Sequence, residues 1–368
     1  MLKKTLFLLS LLTFSLGFSQ QSPITDNTKV SILTVDVADE AHSLYGHTAL
    51  RIQDSRMGLD LVYNYGMFDF RTENFVLKFV KGDLQYYAAA YPYADFEYSY
   101  MEDNRSIYEQ VLNMSLTEKQ QLFLKLNTSL SSQERYYTYK FIDRNCTTKV
   151  IDIVNDVLQN KPIVKRNIDS RSYRDVLFPY ADNHFYEQLG IDIIFGKKVD
   201  NQATIMFLPL DLMDNLNKTV YNGKPLVSET KTLFKANRKN EFSFGNSIYS
   251  LIVVLLVFVI LNKKTTNIIY FSLLGFVGLL FSCIGLYSSH SELLWNYNVL
   301  LFNPLLLFLV FFIMRNDTKW IKKISWICLS LIGIYTLYMF TKIHLLIVLP
   351  IVIATSILLL RLALKKAL

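Results

Sequence analysis

After residue 240 the sequence turns apolar in five successive runs, at residues 247–261, 268–287, 293–314, 324–340 and 345–364. An apolar run of about twenty residues meets its backbone hydrogen-bonding demands inside a bilayer only as a helix. Residues 247–366 are therefore expected to form an all-α membrane domain of about five transmembrane helices. The first and fourth runs are short, which calls for tilt or local thinning of the bilayer. Lys263 and Lys264 close the first run, Arg315, Lys319, Lys322 and Lys323 lie between the third and fourth, and Lys365 and Lys366 follow the last, which carries Arg361 near its end. Basic residues are retained on the cytoplasmic side, so all three groups are expected there and the joints at 288–292 and 342–344 outside. An odd number of spans then joins an exported N-terminal part to a cytoplasmic C-terminus. Much of the formal net charge of +7 is this border charge, so no nucleic-acid partner is expected from it.

Lys3 and Lys4, the apolar run at 6–14 and the small residues Gly17 and Ser19 read as a signal peptide over residues 1–20. Residues 21–240 contain no long apolar run and are expected to form one exported globular domain. Alternating β-branched and aromatic residues predict strands at 29–37, 47–52 and 60–65. Ser115 and Glu118 make a capping-box pattern ahead of Leu122, Leu124 and Leu126, which marks a helix start. A second helix begins near Asn145 and Cys146, with Val150, Val154 and Val157 at helical spacing. The fold class expected is α+β.

Two of the three cysteines, Cys283 and Cys328, fall in apolar runs, which leaves Cys146 without a disulfide partner in the exported domain. Such a thiol is either a buried packing group or a reactive one. Asn145 is a good N-cap, so Cys146 falls in the first turn of its helix. There the dipole and unpaired N–H groups favour the thiolate and can hold an oxyanion. Among His42, His47 and His184, His47 is the best-placed base, on a strand with Ala49 and Arg51 on the same face. A strand-borne imidazole opposite a helix-borne thiol is the papain-like arrangement. Asn64 is the candidate to orient His47 if its strand pairs with that of His47 across residues 53–59; otherwise it ends its strand in a turn with Gly66. Neither HExxH nor CxxC spacing occurs, and no metal or cofactor is expected. His290, Asn296, Asn298 and Asn303 cluster at the outer membrane border, as a substrate path or as helix-helix hydrogen bonds. Arg51 and Arg71 either meet lipid phosphate or form salt bridges.

The stretches GHTALRI (46–52), NYGMFDF (64–70), FVKGDLQYY (79–87), YKFIDRNCTTK (139–149), SYRDVL (172–177), GKKVD (196–200) and MFLP (206–209) resemble the Lnb N-terminal periplasmic domain family. HSELLWNYNVLLFNPL (290–305) resembles the outward loop and third span of the same family. The resemblance implies a permuted NlpC/P60-like thiol-enzyme core, with the histidine strand before the cysteine helix. It further implies lipoprotein N-acylation, in which an acyl chain moves from a membrane phospholipid to the α-amino group of a diacylated lipoprotein's N-terminal cysteine. Cys146 and His47 carry over directly as the thiol-imidazole pair, and Asn64 follows from strand order. The protein would be a multi-pass inner-membrane enzyme with its catalytic domain, residues 21–240, in the periplasm. Arg51, Arg71, Tyr139, Asn145, His290 and Asn298 are the candidates for substrate contact. A cell-wall peptidase or amidase of NlpC/P60 type, and a non-catalytic envelope sensor or binding module, stay open because fold alone does not choose the reaction.

Overall fold

The computed structural model describes residues 24–40, 43–166, 170–181, 184–238 and 242–364; the expected signal peptide over 1–20, His42, Lys365 and Lys366 lie outside the described residues. The N-terminal region is built on an antiparallel sheet. Its elements run β1 (Lys29–Val35), β2 (His47–Asp54), β3 (Leu59–Met67), α1 (Phe75–Lys81), β4 (Gln85–Pro92), α2 (Tyr93–Glu102), β5 (Ile107–Leu112), α3 (Leu116–Ser131), β6 (Tyr136–Thr138) and α4 (Cys146–Val157). There follow α5 (Tyr173–Leu177), α6 (Phe185–Ile194), α7 (Pro209–Leu216), the short strands β7 (Val220–Tyr221) and β8 (Lys224–Pro225), and β9 (Val227–Phe234). Seven strands pair in the order β6-β4-β3-β2-β1-β5-β9.

The central strands are buried on both faces, as their nearly unbroken apolar sequences require. On one face Val30, Ile32, Leu50, Ile52, Tyr63 and Tyr65 pack with Leu122 and Leu126 of α3 and Val150 and Val154 of α4. On the other, Leu33, Val35, Ala49 and Val62 pack with Tyr93 and Phe96 of α2. Each helix start is set locally. Ser115 and Glu118 form a reciprocal capping box at α3, and Asn145 with Thr148 forms one at α4. The β2–β3 register, with Ala49 opposite Asn64, brings the two strands together across the turn at 55–58.

The C-terminal region is helical: α8 (Ile248–Leu261), α9 (Lys264–Tyr287), α10 (Leu305–Arg315), α11 (Thr318–Met339) and α12 (Leu345–Leu364). Four segments, Lys264–Tyr287, Ser291–Arg315, Thr318–Met339 and Leu345–Leu364, are long and apolar enough to cross a membrane, and Ile248–Leu261 is a shorter apolar helix. The third run departs from the unbroken helix expected at 293–314. It is α-helical only from Leu305, and two 3-10 turns, Ser291–Leu293 and Tyr297–Leu300, precede it. The cause is polar: Asn296 and Asn298 donate to the carbonyls of Ile193 and Ile194 or of Asp192, Ile193 and Phe195, at the end of α6. Asn303 accepts from Leu305 N–H across Pro304. Irregular backbone at such depth is tolerated where protein buries it. Here α9 comes so close that a Cβ on Gly278 would lie 1.8 Å from the Phe302 carbonyl oxygen.

Lys264 donates to the Met314 carbonyl and the Asn316 side chain at one end of the helical bundle. The sheet region sits on the other end. A buried network joins the two: Arg174 contacts Asp200 (2.9 Å), Asp192 (3.0 Å) and Tyr297 (3.3 Å), while Tyr297 and Lys342 each donate to Asp200 at 2.8 Å.

Candidate thiol-imidazole site

His47 opens β2, and its Nε2 lies 2.9 Å from Oδ1 of Asn64 on the neighbouring strand. Asn64 Nδ2 donates in turn to the Tyr91 hydroxyl at 2.9 Å. Because an amide oxygen can only accept, Nε2 carries the proton and Nδ1 keeps its lone pair. Asn64 reaches this position because the β2–β3 register sets it opposite Ala49, diagonal to His47, and β3 then bulges against β4 between Asn64 and Met67. Gly66 lies within that bulge. A Cβ there would lie 2.8 Å from His47 Cε1, so the imidazole rests where only glycine leaves room. On its other side the ring stacks at 6.3 Å on Tyr100.

Cys146 is the first residue of α4. The Asn145 side chain accepts from Thr148 N–H at 3.0 Å and donates to the carbonyls of Phe141 and Phe207, which fixes the loop before the helix. The neighbours of the two reactive residues meet directly, Thr48 Oγ1 lying 3.0 Å from Thr147 Oγ1 in a buried hydrogen bond that registers β2 against α4. Burial pushes the Cys146 thiol up, but the charge and hydrogen bond of His47, then the Thr48 N–H and the Thr147 hydroxyl, hold it net below the ordinary 9.0. With Nε2 taken by Asn64, Nδ1 is the imidazole nitrogen left for the thiol. Both residues are partly exposed. The arrangement therefore offers a thiol of lowered pKa and an imidazole hydrogen-bonded to an orienting amide.

The loop ahead of Cys146 is held by the membrane region. Lys140 donates to the Ser289 carbonyl (3.0 Å) and hydroxyl (2.8 Å). Ile142 N–H donates to buried Glu292 at 3.2 Å, and Lys198 bridges Asp143 and the Ser291 hydroxyl. Glu292 and Gly66 were not singled out as site residues by sequence. An acid inside an apolar stretch was the available signal for Glu292. Gly66 gave none, since its role depends on a ring from another strand.

Of the residues considered for substrate contact, Tyr139 is stacked on Tyr86 at 4.4 Å; burial raises the pKa of both phenols, and a Cys146 thiolate adds to it, after Tyr86 in the case of Tyr139. Asn145 is spent as the helix cap. Arg51 is buried, bonded to Asp60 through two nitrogens at 2.7 Å and to Glu109 at 3.1 Å, with Tyr93 against its guanidinium. Its donors are committed, so the salt-bridge reading replaces the phosphate one. Arg71 is exposed and paired with Asp69 at 2.9 Å. Asn298 is fully buried, donating to α6 carbonyls and accepting from Tyr335 at 2.7 Å. It is a packing group between helices rather than a substrate contact. His290 Nε2 bonds the Phe79 carbonyl at 2.9 Å, which ties the α9–α10 joint to α1.

Residues 18–177 match the model of the Lnb N-terminal periplasmic domain family, a span that contains His47, Asn64 and Cys146. No curated protein and no solved structure matches the chain. The protein is thus a membrane protein with an Lnb-type periplasmic domain ahead of its apolar helices.

Proposed function

We propose that this protein is a lipoprotein N-acyltransferase of the inner membrane, working through a thioester on Cys146. The observation that carries the reading is the Cys146, His47 and Asn64 constellation, placed inside an Lnb-type domain whose cysteine loop is fastened to a membrane joint. A permuted papain-like core is supported by the same order, an imidazole on a strand before a thiol on a helix.

In the first half-reaction His47 Nδ1 takes the thiol proton and the Cys146 sulfur attacks the ester carbonyl of a phospholipid. The backbone N–H groups of Cys146 and Thr147 would hold the oxyanion, since Thr148 N–H is taken by the Asn145 cap and the first intrahelical bond runs from Lys149 N–H to Asn145 O. The tetrahedral adduct collapses by breaking the ester C–O bond, and His47 returns its proton to the departing lysolipid alkoxide. In the second, the α-amino group of the lipoprotein's N-terminal diacylglyceryl-cysteine attacks the thioester. His47 takes the amine's proton, and the amide forms as the Cys146 thiolate leaves. Asn64 holds the imidazole in the tautomer both halves need. The C-terminus lies in the cytoplasm, on the side of Lys264 and Arg315.

The test is reconstitution of the full chain with a phospholipid and a diacylated lipopeptide carrying a free α-amine. Mass spectrometry is expected to show one added acyl chain in amide linkage, and none with Cys146→Ala. Amide formation by Cys146→Ala at the parent rate would overturn the thiol mechanism. Cleavage of cell-wall peptide with no acyl transfer would favour the peptidase alternative.

A further inference from the structure

Helix α1, sequence FVLKFVK, buries none of its residues. Phe70 just before it is 71% exposed, and Val76 and Leu77 are 68% and 58% exposed. A short helix with such a face gains little from its own domain, and its position says what covers it. The last carbonyls of α1 are satisfied by the joint after α9: Ser288 Oγ donates to Val80 O at 2.6 Å, Ser289 N–H to Lys81 O at 2.8 Å, and His290 lies on Phe79 O. The exposed apolar face is thereby continuous with the outer end of α9, where Leu286 is 92% exposed. Lys78 stands in the last turn of α1, as cations do beside lipid phosphates, while Lys81 beside it is paired with Asp83.

From this face a series of rings leads inward. Phe79 stacks on Phe75 at 6.4 Å, Phe75 lies 6.0 Å from Phe68, Phe68 lies 5.0 Å from Tyr86, and Tyr86 stacks on Tyr139, both phenols being within the electrostatic reach of Cys146.

We infer that α1 with Phe70 is an interfacial helix lying in the outer leaflet, and that its ring series is the wall along which a phospholipid ester passes from the bilayer to Cys146. Insertion of α1 stands on exposure and anchoring alone; the passage of the ester rests on the acyl-transfer reading. The occupant is a bilayer phospholipid because the face runs into the lipid-facing end of a membrane helix.

Two readouts separate these claims. The full chain, carrying Leu77→Trp, is placed in phosphatidylethanolamine and phosphatidylglycerol vesicles with or without brominated acyl chains. Quenching beyond that of the parent's own tryptophans is expected. No added quenching overturns the insertion of α1, as does cross-linking of position 77 to a second copy of the chain.

Separately, Val76→Glu with Leu77→Glu is compared with the parent for Cys146 acylation by vesicle phospholipid and by the water-soluble ester p-nitrophenyl butyrate. The soluble ester reports an intact site and fold. Acylation from vesicles is expected to fall at least about tenfold, as charge on an interfacial helix weakens its lipid contact, while the soluble ester reacts at the parent rate. Equal loss for both esters, checked with the milder Val76→Ser and Leu77→Ser, or no loss for either, overturns the passage. A parent that forms no acyl-enzyme from either ester contradicts the passage and the acyl-transfer reading together, and the quenching result still decides insertion.

Discussion

The Cys146, His47 and Asn64 group and the Arg174, Asp192, Asp200, Tyr297 and Lys342 group are both polar clusters held between packed elements, and they are finished differently. In the first, the hydrogen-bond chain runs from Tyr91 through Asn64 to one imidazole nitrogen and leaves the other to a partly exposed thiol. In the second, Asp200 alone faces three donors, and the guanidinium is 3% exposed. One arrangement keeps a reactive lone pair available; the other commits its charges and so joins the sheet region to the membrane helices. Burial with the guanidinium shared between two carboxylates makes a clamp, although Asp192 Oδ2 is left without a hydrogen-bond partner, and partial exposure with one open position makes a site.

The comparison breaks most visibly if substitutions in the two clusters have the same kind of effect. Cys146→Ala is expected to lower acyl transfer by about 10^6-fold, as loss of the nucleophile of a catalytic triad does, with no loss of thermal stability in detergent. Arg174→Met is expected to do the reverse, costing about 3 kcal/mol by leaving Asp192 and Asp200 buried without their guanidinium. Thermal unfolding of the full chain measures it, and an unchanged midpoint would remove the clamp from the account.

Gly66→Ala sharpens the contrast within the site. The added methyl must displace the His47 ring, and a misplacement of that order lowers turnover by about 10- to 100-fold, read as kcat with the fold intact by circular dichroism. The smallest effect is electrostatic. In the parent, the rate of Cys146 alkylation should rise with pH around an inflection below the ordinary 9.0. His47→Ala removes the largest lowering influence and leaves burial, so the inflection should move to higher pH. An inflection that stays in place would mean that His47 does not face the thiol.

What was legible in the sequence follows the range of the forces involved. Capping is local, so Ser115 with Glu118 and Asn145 beside Cys146 marked both helix starts correctly. Strand alternation placed His47 and Asn64 on neighbouring strands, and the β2–β3 register then brought their side chains to 2.9 Å. The edge strand Val227–Phe234 is polar and exposed along most of its length, and its place beside β5 comes from a distant partner, not from its own pattern. The apolar composition of the 3-10 turns before Leu305 predicts membrane helix there. Asn296 and Asn298 override that composition by bonding to carbonyls about a hundred residues earlier, which no local window contains.

The acyl-enzyme itself is the most direct test. The full chain, incubated with vesicle phospholipid and no amine acceptor, is digested and its Cys146 peptide weighed. The account predicts one acyl chain on that peptide, removed by neutral hydroxylamine, passed to a diacylated lipopeptide when that is added, and absent in His47→Ala. Transfer to the lipopeptide from a protein whose Cys146 peptide never carries an acyl group would contradict it.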